Sequence, residues 1–100
     1  MKYVLRSQQI QDMQAVFAQY AKIEKVILYG SRAKGTQHQG SDIDLTLVGK
    51  LLKLDDLYAI DEALDDLYLP YFIDLSLYDQ IDNQSLIDHI QRRGKDFYTK

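Results

Sequence analysis

Three carboxylates in this chain occupy positions that packing alone does not explain. Asp42 and Asp44 stand two residues apart in a segment, Asp42 to Val48, that alternates between polar and apolar side chains. The period of a β-strand places Asp42, Asp44 and Thr46 on one face and Ile43, Leu45 and Leu47 on the other. The two carboxylates then lie about 7 Å apart along the strand. Asp74 repeats the arrangement: Phe72, Asp74 and Ser76 share one face, and Ile73, Leu75 and Leu77 share the opposite one. If the two strands adjoin, three acids converge on one spot, where like charges repel and raise one another's pKa values. Hard divalent cations remove that cost. Carboxylate oxygens suit Mg²⁺, which also takes phosphate oxygens and water, and two such ions would neutralise the cluster.

Upstream, Gly30 and Ser31 end a short apolar run. A glycine there lets the backbone approach a ligand closely. The Ser31 hydroxyl and the amides that follow it, opening a helical turn, can donate to phosphate oxygens. Arg32 and Lys34 add positive charge beside them. A phosphate cradle, a metal-binding pair and a third carboxylate together describe metal-assisted phosphoryl or nucleotidyl transfer. Each signal is weak by itself, because Gly-Ser turns are common and a lone D-x-D is more often a solvated strand end. Order and spacing discriminate.

The elements that must hold these residues follow from periodicity. From Ser7, a candidate N-cap, apolar residues fall at Ile10, Met13, Phe17, Tyr20 and Ala21, the spacing of an amphipathic helix. Lys25 to Tyr29 reads as a buried strand, and residues 31 to 41 as a loop with a helical turn at its start. Leu57, Ile60, Leu64 and Leu67 mark a second helix, with Asp55 and Asp56 well placed in its first turn. Beyond Pro70 and the Asp74 strand, Asp82 or Asn83 caps a last helix carrying Leu86, Ile87 and Ile90, which Gly94 stops. The predicted order is α-β-loop-β-α-β-α. This is an α/β (α+β) domain in which a three-stranded sheet with helices against one face accounts for every apolar stripe.

One hundred residues suit one domain, taken as residues 1–100, with room for one modest core. No apolar run approaches the roughly 20 residues of a membrane span, and the start of the chain lacks the apolar stretch of a signal peptide. There is no cysteine, which excludes disulfides and thiolate metal sites, and a cytoplasmic location is expected. The net charge is −3, and between Leu51 and Asp82 nine acids face one base, Lys53. Such an acidic balance argues against direct nucleic-acid binding. The acids Asp61, Glu62, Asp65 and Asp66 read as a solvated helix face. His38 and His89 read as surface polar residues, and Tyr68 and Tyr71, on either side of Pro70, as strand-entry packing.

Gly30-Ser31, ten residues, Asp42-x-Asp44 and a further Asp inside an apolar strand form the pattern of the polymerase-β-type nucleotidyltransferases. The stretch YGSRAKGTQHQGSDIDLTLV closely resembles the minimal nucleotidyltransferase (MNT) family, and the resemblance runs from about Lys25 to Leu77. It implies a polymerase-β-like core, a small mixed β-sheet with helices packed mainly on one face. It implies that Asp42 and Asp44 bind two Mg²⁺ ions, with Mn²⁺ as a substitute, and that Asp74 completes one metal site and helps deprotonate the attacking hydroxyl. Gly30 and Ser31 would hold the β- and γ-phosphates of ATP, assisted by Arg32.

Larger proteins with this core carry extra domains that hold the acceptor, whereas here residues 79 to 100 offer one helix and a short tail. The acceptor is therefore expected to be held by a separate molecule or by another copy of the chain. Stand-alone MNT proteins commonly act beside a small helical HEPN ribonuclease, as antitoxins that attach AMP to a tyrosine of the toxin. The resemblance thus implies a protein AMP-transferase in a hetero-oligomer with a HEPN-type toxin. Two alternatives stand beside it: transfer to a small molecule or an RNA end, and a non-catalytic module that binds nucleotide or blocks a toxin.

Overall fold

The computed structural model of the protein describes residues 6–30 and 43–100. The segment 31–42, with Ser31, Arg32, Lys34, His38 and Asp42, lies outside the described residues, as do residues 1–5. The described elements are α1 (Ser7–Ala18), β1 (Lys25–Tyr29), β2 (Ile43–Val48), α2 (Leu54–Asp65), β3 (Ile73–Leu77), a 3₁₀ turn (Tyr78–Gln80), α3 (Gln84–Arg93) and β4 (Lys95–Thr99).

The sheet runs β3-β2-β1-β4. β1 is antiparallel to both β2 and β4, and β2 is parallel to β3. Parallel neighbours cannot be joined by a hairpin, and α2 lies in the crossover between β2 and β3. The alternation read from sequence holds in β2, where Ile43, Leu45 and Leu47 are buried with Val26 and Leu28 of β1. Against this face pack Met13, Val16 and Phe17 of α1 and Ile60 and Leu64 of α2. Each fully buried aliphatic side chain contributes about 1.5–3 kcal/mol, so this layer fixes the strands whose other face carries the acids.

Two expectations change. The sheet has four described strands, because the residues after Gly94 add β4 beside β1. Lys95 and Asp96 obscured it, since charge is common on an edge strand. A bulge broke the alternation as well: Val26 pairs with Tyr98 and Ile27 with Asp96, which leaves Phe97 as the extra residue. Phe97 and Tyr98 both reach Phe17, at ring-centroid distances of 6.2 and 5.9 Å, and the Gln14 amide donates to the Phe97 carbonyl at 2.8 Å. The second change concerns α3. Its Ile90 is buried outside the main core cluster, with Ile27, Val48 and Gly94 beside it. α3 therefore covers part of the face opposite α1 and α2.

The caps also sharpen. Arg6, not Ser7, is the N-cap of α1, and its N–H donates to the Gln9 side chain at 3.2 Å. In α2 the Asp56 carboxylate accepts the Lys53 N–H at 2.9 Å and pairs with Lys22 at 3.3 Å. Of the two candidates for α3, Asn83 is the cap and accepts the Leu86 N–H at 3.2 Å. Gly94 ends α3 for want of space: a Cβ would meet the Ile90 carbonyl and come within 2.6 Å of an Ile27 methyl.

Candidate active site

β2 and β3 run parallel in register, with Asp44 opposite Asp74 and Thr46 opposite Ser76. Adjacent strands lie about 4.8 Å apart, so the Asp44 and Asp74 side chains leave the sheet side by side on one face. β1 adds a third member to the row, because Tyr29 is the antiparallel partner of Asp44. Immediately after Tyr29 the chain turns at Gly30, whose φ is +79°. A Cβ there would overlap the Asp44 carboxylate, with its carbon only 3.2 Å away. Gly30 is thus required twice, by its backbone angle and by the carboxylate that fills the side-chain space.

A hydrogen-bonded floor supports the two acids. The Ser76 hydroxyl donates to Thr46 Oγ1 at 2.9 Å, and Thr46 is fully buried. Tyr29 is also buried, and its phenol hydrogen-bonds with Ser76. Burial raises the pKa of that phenol above its ordinary value. The Ser76 bond pulls the other way, and the charges of Asp44 and then Asp74 push it further up. The field of both carboxylates is therefore felt at one buried oxygen, which places them around a common point. His89 of α3 packs edge-on against the Tyr29 ring at 6.3 Å.

The structure thus brings together Gly30, Asp44 and Asp74 of the predicted site, whereas Ser31, Arg32 and Asp42 lie outside the described residues. Among the described residues no cluster of three metal-ligating side chains occurs. The described pair nevertheless suits a hard cation. Two carboxylates in register, one of them exposed on Asp74, offer oxygen donors beside a glycine turn whose side-chain space the Asp44 carboxylate takes up.

Sequence reasoning missed Tyr29 and His89, and it gave Ser76 its face but no role. The run Lys25–Tyr29 reads as uniformly apolar, yet its alternation separates Val26 and Leu28 from Ile27 and Tyr29, and that signal assigns Tyr29 to the acidic face. His89 is half-buried against Tyr29, not simply a surface polar residue. Tyr71 packs against the core as expected. Tyr68 does not: it is 88% exposed, with φ at +54°.

A mixed sheet with a glycine turn at the end of one strand and in-register acids on the next two defines a nucleotidyltransferase type of domain. Residues 11–100 match the family model described as polymerase beta, nucleotidyltransferase, and the chain belongs to that family. No curated protein matches the chain.

Solved structures agree on the fold. A toxin–antitoxin structure with AMP-PNP aligns at TM-score 0.73 and 22% identity, over 96% of this chain and 75% of that one. The tri-AMPylated HEPN toxin of Shewanella oneidensis in complex with MNT antitoxin aligns at TM-score 0.63 and 15% identity, over 92% and 73%. A putative nucleotidyltransferase from Sulfolobus solfataricus aligns at TM-score 0.57 and 17% identity, over 91% and 77%.

Proposed function

We propose that this chain transfers AMP from ATP to a hydroxyl of a partner protein, a tyrosine of a HEPN-type toxin, and acts as the antitoxin of that pair. The observation that carries this reading is the register of Asp44 with Asp74 beside the Gly30 turn, within a chain of the nucleotidyltransferase family. The likeness to toxin–antitoxin structures, one with AMP-PNP and one with an AMPylated toxin, supports the choice of donor and acceptor.

In this reading Asp42, Asp44 and Asp74 would hold two Mg²⁺ ions, and Gly30, Ser31 and Arg32 would hold the triphosphate tail. Mg²⁺ held there would neutralise the triphosphate and lower the pKa of the attacking hydroxyl. Asp74, exposed at its strand position, takes the proton from that hydroxyl. The acceptor oxygen forms a bond to the α-phosphorus, the bond between that phosphorus and the bridging oxygen to the β-phosphate breaks, and pyrophosphate leaves. Burial raises the pKa of the Tyr29 phenol, which keeps it neutral. With Ser76 and Thr46 it keeps the floor under the carboxylates fixed.

The test uses ATP labelled at either the α- or the γ-phosphate, incubated with Mg²⁺, the chain and the HEPN-type partner that this reading requires. Label from the α-position should enter the partner and label from the γ-position should not. The reverse pattern would make the chain a kinase, and no incorporation from either position would remove the transfer reading.

A further inference from the structure

β3 is the last strand on its side of the sheet, and no described strand pairs with its outer edge. The direction of its backbone groups follows from one bond. The Phe72 carbonyl accepts the Ile43 N–H at 2.9 Å, so the alternate residues Phe72, Asp74 and Ser76 bond inward to β2 and those of Ile73 and Leu75 point outward. Beside that edge lies a groove of about 200 Å³, walled by Leu57, Tyr58 and Asp61 of α2 and by β3 from Phe72 to Leu75. Two large aromatic side chains stand open along it, Tyr58 at 63% and Phe72 at 67% exposure. Asp74 is part of the same wall, so the groove reaches one acid of the candidate active site.

We propose that this groove is where the protein acceptor docks: an extended, basic and apolar segment of the partner adds to the outer edge of β3. The proposal rests on the reading that the acceptor is a protein. A strand laid against Ile73 and Leu75 satisfies their outward N–H and C=O groups, and its alternate side chains cover Phe72 and Tyr58. Its hydroxyl-bearing residue then lies alongside Asp74.

Charge selects the occupant. Asp61 and Asp74 line the groove, Asp65 acts on Asp61 from the same helix, and between Leu51 and Asp82 only Lys53 is basic. Burial first, and Asp65 second, raise the Asp61 carboxyl above its ordinary value, so a cation brought into the groove meets an acid already short of solvent. A second copy of this chain would bring acids against acids, and a phosphate backbone would be repelled in the same way. A basic segment with apolar residues suits the groove where those occupants do not.

The experiment reads two quantities on the complex of the full chain with the HEPN-type partner of the proposed function. Residue-resolved amide exchange should slow at least about tenfold at Ile73 and Leu75 when the partner is added, and stay unchanged along the outer edge of β4. The double variant Tyr58→Ser, Phe72→Ser should weaken partner affinity by about tenfold or more and leave Mg²⁺-ATP affinity within about twofold. Both residues are exposed, so the folded variant is checked by its unchanged thermal midpoint. Protection confined to another surface, or unchanged partner affinity in the double variant, would overturn the docking proposal. Protection at Ile73 and Leu75 without any AMP transfer would uphold the docking surface and discard the transfer reading. Transfer with protection elsewhere would do the opposite.

Discussion

The two faces of one sheet serve opposite ends. Toward α1 and α2, β1 and β2 present Val26, Leu28, Ile43, Leu45 and Leu47, all buried and all hydrocarbon. Away from those helices the same strands, with β3, present Tyr29, Asp44, Thr46, Asp74 and Ser76, which α3 only partly covers. The first face lowers the free energy of the fold by removing apolar surface from water. The second sets two like charges side by side, an arrangement that folding alone would not favour. Alternation at period two makes the pairing possible, because a residue on one face constrains its neighbour very little on the other. A small chain can therefore hold a costly site on a stable support.

This contrast is open to attack from either side. The largest stability effect belongs to the apolar face. Phe17 is fully buried and touches both Phe97 and Tyr98. Phe17→Ala should cost about 3–5 kcal/mol in urea unfolding. A loss below about 1 kcal/mol would mean that this face is not the main source of stability. Gly30→Ala sits at the join between the faces. A left-handed alanine costs about 1–2 kcal/mol, and its Cβ would also displace the Asp44 carboxylate. The variant should melt earlier and lose Mg²⁺-dependent ATP affinity together. Loss of stability with full nucleotide affinity would separate Gly30 from the site.

The smallest effect tests the acid wall of α2. The Asp61 carboxyl is raised above its ordinary 3.8, by burial and then by Asp65. A raised acid loses native stability as pH climbs from the unfolded pKa through the folded one. Asp61→Asn should therefore raise the unfolding free energy at pH 7, by no more than about 0.5 kcal/mol. The gain should fade below pH 3.8, where Asp61 is protonated in both states. A gain that grows on acidification would contradict the sign.

Much of the site was legible because strand periodicity and acid placement are local facts. The face shared by Asp74 and Ser76, and the opposing stripe of Ile43, Leu45 and Leu47, needed no tertiary information. Register did. Nothing in the sequence states that Asp44 lies opposite Asp74 or that Tyr29 completes the row. β4 was hidden by its charges and its bulge, and its packing on Phe17 depends on contacts about 80 residues apart in the chain. The placement of α3 was hidden too. Its stripe of Leu86, Ile87 and Ile90 shows that a face must be buried, but not which side of the sheet receives it.

The most direct test of the central claim is the intact mass of the HEPN-type partner after incubation with ATP, Mg²⁺ and either the wild-type chain or its Asp74→Asn variant. The wild type should raise the partner's mass by one or more whole AMP units. Asp74→Asn should lower the rate by about a hundredfold or more, which corresponds to roughly 3 kcal/mol in the barrier. Its thermal midpoint in EDTA should be unchanged or higher, since one of two neighbouring like charges is gone. No gain with the wild type, or an equal gain with the variant, would contradict the claim that the carboxylates on β2 and β3 form a centre for AMP transfer.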